Sequence, residues 1–189
     1  MFFDPQYEKK PCELKWPTAY QTNEQITLFI LEIERILAPN GYLALWISKN
    51  VLLECRVQHW LTATNTLKVL DMLIWKKNTV GFGSRFRNQA EFLLLVQKKP
   101  WQANFTDRSF SNVWSEGIKD KQHPHQKPIE LLKKLILALT KPEDLIIDPC
   151  AGSFIVLKAC QATNRQFLGC DLTITPIKNY AKKRNPRNI

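Results

Sequence analysis

Residues 22–37 carry their apolar side chains in helical phase. Ile26, Phe29, Ile30, Ile33 and Leu37 recur at spacings of three and four, which gathers them on one face. Thr22 or Asn23 caps the start of this predicted helix, and Pro39-Asn40-Gly41 stops it. Residues 42–48 then form a near-continuous apolar run of strand length. A helix, a tight stop and a strand apolar on both faces predict an open α/β sheet. Residues 52–61 predict another helix, and residues 67–75 and 91–97 two further strands. Residues 128–139 predict a helix that starts on a proline, a residue suited to the first turn. A short strand at 144–148, a helix at 153–162, a strand at 166–170 and a last helix at 176–183 follow, with a frayed basic tail at 184–189.

Composition narrows the class. Hydrophobic residues make up 44% of the 189 positions, enough for one real core. The apolar stretch 131–139 is interrupted by Lys133 and Lys134, and no run approaches the ~18 residues that a membrane helix needs. The first residues, Met1-Phe2-Phe3-Asp4, do not read as a signal peptide. The cysteine count is five, with no Cys-x-x-Cys pair, so reduced cysteines in a cytoplasmic protein are expected rather than a zinc site or a disulfide framework. The net charge of +10 favours a polyanionic partner, though a basic surface kept for solubility would give the same number.

Three segments carry candidate chemistry. Asp4-Pro5-Gln6-Tyr7, preceded by two phenylalanines, is an ordinary turn starter when taken alone. It also suits work on a base amino group, whose lone pair is delocalised into the ring. An Asp carboxylate and a neighbouring carbonyl can accept its two N–H hydrogens and draw the nitrogen toward tetrahedral geometry. Proline stiffens such a turn, and an aromatic can stack on a base flipped out of the duplex. Asp148-Pro149-Cys150-Ala151-Gly152-Ser153-Phe154 follows an apolar strand and opens a helix, so its backbone can approach a ligand closely. Asp171 lies 23 residues after Asp148, at the end of the next strand, a place from which an acid reaches ribose hydroxyls; a plain βαβ turn would look the same. His123-Pro124-His125-Gln126-Lys127-Pro128 feeds a helix. Its two histidines lack further ligands at metal spacing, so no metal is expected. Lys127 and the first-turn amides are the better candidates, as holders of a carboxylate.

Taken together, the three segments resemble the permuted class of S-adenosylmethionine-dependent DNA amino-methyltransferases. The family's D-P-P-Y, H-P-T-x-K-P and D-P-F-x-G-S-G motifs correspond to residues 4–7, 123–128 and 148–154, in the permuted order. The likeness is greatest to a phage- and prophage-like branch with D-P-Q-Y. It extends over the segment from Trp75 and Lys77 to Gln97 and Lys98, and over Asn112-Val113-Trp114 with Glu116.

The resemblance implies a Rossmann-like α/β fold, an open and mostly parallel sheet with helices on both faces. It implies one domain over residues 1–189: a catalytic half at 1–100, a short variable segment at 101–122 and a cofactor half at 123–189. Asp4, Pro5 and Tyr7 would then polarise and stack the base. Lys127, Pro128, Asp148, Ala151, Gly152, Ser153 and Asp171 would hold S-adenosylmethionine. Asp at the first motif position goes with adenine N6 more than cytosine N4.

The loop at 81–87 is the candidate contact to double-stranded DNA. Arg85 and Arg87 would meet phosphate or guanine, and Phe82 and Phe86 would stack or wedge, unless this is simply a solvated loop. The expected role is DNA methylation of the restriction–modification kind, and a homodimer stays open. Three departures from the family pattern matter. Gln6 replaces a proline, Phe154 replaces a glycine and makes the adenosyl pocket bulkier, and Met1 stands only three residues before Asp4. Two residues are too few for a stable central strand, so an impaired, nucleic-acid-binding remnant competes with the active enzyme. Methylation of RNA or protein is a third reading.

Overall fold

The computed structural model describes residues 1–6, 20–83, 85–119, 121, 123 and 125–171. Tyr7, the predicted helix at 176–183 and the basic tail lie outside them. The chain divides into two compact units, Met1–Ser115 and Glu116–Ile189.

The first unit opens with a βαβ element: β1 (Phe2–Phe3), α1 (Asn23–Ile36) and β2 (Tyr42–Ile47), with β1 and β2 parallel. α1 forms for the local reasons its sequence gives. Thr22 and Gln25 make a reciprocal capping box, and Ile26, Ile30 and Ile33 are buried to 2% exposure or less. Phe29, expected on the same face, is 38% exposed and rests its ring 5.7 Å from that of Phe3. Lys98 closes the far end of α1 by donating to the carbonyls of Glu34 and Leu37. All six residues of β2 are buried, as its apolar run requires.

The helix expected at 52–61 is broken into α2 (Lys49–Leu53) and α3 (Arg56–Thr62), with Cys55 in the left-handed region at φ 52°. Val51 and Val57 are both buried. At ~100° per residue, the six steps between them would put them about 120° apart around one straight helix, and across the break both face inward. Two long strands follow, β3 (Leu67–Lys76) and β4 (Ala90–Lys98), then β5 (Val113–Ser115), which lies inside the variable segment at 101–122, where no strand was expected. The strand order is β1-β2-β4-β3-β5. β4 is antiparallel to both β2 and β3, while β1–β2 and β3–β5 are parallel. Four strands therefore run one way and β4 alone is reversed. The first strand, expected to be too short, is nevertheless paired, with Phe2 opposite Ala44 and Phe3 opposite Leu45. Its two phenylalanines are 5% and 0% exposed, and at ~1.5–3 kcal/mol for a fully buried large side chain this burial is what docks so short a strand.

The second unit contains α4 (Ile129–Leu139), β6 (Leu145–Asp148), α5 (Ile155–Ala162) and β7 (Gln166–Gly169), with β6 and β7 parallel. Leu131, Leu132, Leu135 and Ile136 form the buried face of α4, and Ile155, Val156, Ala159 and Cys160 that of α5. Each unit is α/β, and the strands are mixed but mostly parallel. No described helix is long and apolar enough to cross a membrane.

Candidate functional site

Asp4, Pro5 and Gln6 leave β1 as it ends. Pro5 is buried and Asp4 is partly exposed. The turn is pinned beyond the strand as well: the Gln21 amide donates to the Gln6 carbonyl at 2.7 Å. The structure thus holds the candidate carboxylate between a buried strand and a backbone hydrogen bond. Tyr7, expected beside it, is outside the described residues.

The hairpin between β3 and β4 carries the candidate DNA loop. Its stem is extended by the Lys77 amide donating to the Gln89 carbonyl and by an ion pair between Lys77 and Glu91. The Gly81 amide then donates to the Asn88 carbonyl at 2.7 Å. At the tip, Phe82 is 91% and Phe86 87% exposed, which water disfavours and a stacking partner would relieve. Arg85 is exposed. Arg87 is not simply an outward cation: its Nε donates to the Gly81 carbonyl at 2.7 Å and its guanidinium lies 5.8 Å from the Phe82 ring centroid. It braces the loop and props Phe82 while leaving its terminal nitrogens to a partner.

The third cluster lies at the carboxyl ends of β6 and β7, where parallel α/β sheets bind ligands. Asp148, 5% exposed, turns back to accept the Cys150 amide at 3.1 Å. The strand ladder then continues into the turn. The Cys170 amide donates to the Asp148 carbonyl, the Ala151 amide to the Cys170 carbonyl at 2.9 Å, and the Gly152 amide to Oδ2 of Asp171 at 2.9 Å. Gly169 permits this approach, because a Cβ there would lie 2.8 Å from the Asp148 carbonyl oxygen. Gly152 has φ +49°, and among the described residues a Cβ on it would meet only His123 Cε1, at 3.8 Å. The turn therefore offers an open backbone face with a carboxylate fixed beside it, which fits an adenosine ribose and its adjoining chain. Ser153 follows in the same turn and is partly exposed.

The helix expected from residue 153 starts only at Ile155, since Phe154 sits at φ 55°. A left-handed residue other than glycine costs ~1–2 kcal/mol. The Phe154 ring meets Phe167 edge-on at 6.4 Å, a contact worth ~0.5–1.5 kcal/mol, so this packing offsets much of the strain. The fit to a glycine position is thus explained by backbone conformation.

Lys127 and Pro128 precede α4 and are both buried. The first-turn amides of α4, expected to await a ligand carboxylate, are instead partly filled from within. Those of Glu130 and Leu131 donate to Oε1 and Oε2 of Glu116 at 3.1 and 3.0 Å. Sequence reasoning noted Glu116 without giving it a role. The available signal was Pro128 at the cap position, which has no side-chain acceptor and so calls for one from elsewhere.

Against known proteins, residues 13–183 match the N6/N4 methyltransferase family, described as DNA methylase. This chain belongs to that family. The family uses S-adenosylmethionine. The chain is 43% identical over 185 residues to the type II methyltransferase M.HhaII of Haemophilus parahaemolyticus, covering 90% of this chain and 81% of that protein. It is 36% identical over 92 residues to the DNA adenine methyltransferase YhdJ of Escherichia coli K12, covering 46% of this chain but 31% of that one. Among solved structures, the M1.HpyAVI–SAM complex superposes with a TM-score of 0.70 at 23% identity, over 96% of this chain and 86% of the other. That last likeness is one of fold.

Proposed function

We propose that this family member transfers a methyl group from S-adenosylmethionine to the exocyclic amino group of a base in double-stranded DNA, adenine N6, and that it belongs to the permuted-motif class and its D-P-Q-Y branch. The observation that carries the reading is the turn after β6. There the open face of Gly152 and the carboxylate of Asp171 are locked together by a 2.9 Å hydrogen bond at the carboxyl end of a parallel strand pair.

Asp148 and Ala151 keep that turn in shape through their own hydrogen bonds, and Asp171 accepts from ribose hydroxyls. Gly152 and Ser153 line the approach, and Lys127 and Pro128 form its border. Bound there, S-adenosylmethionine supplies an electrophilic methyl group. Asp4 accepts one hydrogen of the base amino group, and the carbonyl beside Pro5 accepts the other, which frees the nitrogen lone pair. Tyr7 stacks on the flipped base. Arg85 and Arg87 meet phosphate, and Phe82 and Phe86 fill the space that the flipped base leaves. The preference for adenine is supported by the aspartate at position 4 and by the partial likeness to an adenine methyltransferase. We assign the activity to the cytoplasm.

The test is labelled-methyl transfer to duplex DNA by the chain and its Asp4 variants. An interaction made mainly as the nitrogen becomes tetrahedral stabilises the transition state more than the ground state. Asp4→Ala is therefore expected to lower kcat by ~100-fold or more with cofactor and DNA affinity nearly intact, and Asp4→Asn to keep a little activity. Wild-type turnover in Asp4→Ala would refute the assignment. Binding of both cofactor and DNA with no transfer to any DNA tested would make the chain a binding module instead.

A further inference from the structure

We propose that Glu116 is a positioning residue of the cofactor site, the clamp that holds His123 and the residues 125–128 leading into α4 beside the Gly152 turn. The proposal rests on the reading of that turn as the S-adenosylmethionine site. Glu116 opens the second unit. Its carboxylate spans two consecutive amides, those of Glu130 and Leu131, which are 14 and 15 residues further along the chain. One side chain thus closes the whole histidine- and lysine-bearing loop into a ring.

Physical chemistry explains why an acid does this. Pro128 is the cap residue of α4 and makes no side-chain capping bond. The first turn of any helix leaves amides without intrahelical acceptors and carries a partial positive charge. A carboxylate there makes two charge-assisted hydrogen bonds at once. Inside the ring the loop is tied further. The Gln126 amide donates to the His123 carbonyl at 3.1 Å, and the His125 amide donates to His123 Nδ1 at 3.2 Å. This second bond fixes the imidazole, whose Cε1 is the atom nearest the bare face of Gly152. The clamp thus reaches the turn through His123, whose Cε1 would lie 3.8 Å from a Cβ on Gly152. A histidine held in this way is placed before the ligand arrives, so placing it is not charged against binding.

The experiment uses the full chain with Glu116→Ala and Glu116→Gln, and Thr22→Ala as a control. Thr22 caps α1 in the other unit, so losing it removes a comparable capping interaction outside the unit that holds the turn. S-adenosylmethionine binding is measured by calorimetry, and exchange of the Glu130 and Leu131 amides by hydrogen exchange. Glu116→Ala is expected to weaken binding roughly five- to tenfold, about one lost capping interaction, and to speed exchange at both amides. In turnover, KM for the cofactor rises while kcat at saturation stays close to wild type. Glu116→Gln keeps one acceptor oxygen and should fall between the two; if Glu116→Ala does not fold, Glu116→Gln decides by the same readouts. Thr22→Ala should bind as wild type does.

Accelerated exchange with wild-type cofactor affinity would overturn the proposal and leave Glu116 a plain helix cap. Equal weakening in Thr22→Ala would overturn it as well. If the unmutated chain fails to bind the cofactor, or Asp171→Ala binds as tightly as wild type, the underlying site reading falls and takes this proposal with it. Weakening in Asp171→Ala alone would sink only the role of Glu116.

Discussion

Asp171 is the residue on which the proposed cofactor site turns, and replacing it separates two things that its carboxylate would do. One oxygen accepts the Gly152 amide at 2.9 Å and fixes the turn. In the proposed complex the carboxylate also accepts from ribose hydroxyls. A charge-assisted hydrogen bond contributes ~1.5–3 kcal/mol, and the lower end applies because Asp171 is partly exposed. Asp171→Ala removes both functions, so S-adenosylmethionine affinity should fall by ~1–3 kcal/mol, roughly 5- to 150-fold in Kd. Asp171→Asn keeps an oxygen that can accept the Gly152 amide and loses the charge. It should lose affinity by about tenfold or less, because the turn survives while the ribose bonds lose their charge assistance. Isothermal titration with S-adenosylmethionine measures both, and duplex DNA affinity serves as the control that should not move. Unchanged cofactor affinity in Asp171→Ala would refute the ribose assignment. An Asp171→Asn variant as weak as Asp171→Ala would show that charge alone matters and that the Gly152 bond contributes nothing to binding.

The hairpin loop gives a second prediction. If each arginine meets one phosphate, each removal flattens the log–log salt dependence of DNA binding by ~0.9. Arg87→Ala should also weaken binding beyond that slope change, since Arg87 props Phe82, whereas Arg85→Ala should change the slope alone; fluorescence anisotropy across a salt series checks both, and wild-type slopes would turn the loop away from DNA. The cysteines give a third. Burial pushes the Cys160 thiol up to about 11, with the negative Asp148 adding to the effect, and the side chain is 0% exposed. Only the thiolate is nucleophilic, so at pH 8 Cys160 stays neutral and should resist alkylation until the protein is unfolded, while exposed Cys55 and Cys170 react in the folded state. Mass spectrometry that finds Cys160 modified in the native protein would contradict this.

The sequence by itself determined what depends on neighbours along the chain. The cap of α1 at its start, the buried isoleucines of α1, the wholly buried β2 and the strand–turn–helix around Gly152 all follow from local periodicity and turn chemistry. The family, and with it the cofactor, was legible because three short motifs occur in one order. Tertiary structure alone decided what depends on distant partners. β4 runs against its neighbours and inserts between β2 and β3, although its apolar pattern carries no direction. The break at Cys55 has no glycine or proline to announce it, and Val51 and Val57 are buried on either side of it. Phe154 adopts a glycine-like conformation because Phe167, thirteen residues on, receives its ring. Glu116 closes the first turn of α4 from fourteen residues back along the chain. Such contacts join residues far apart in sequence and leave no period along it, so only the folded chain shows which side chain fills which place.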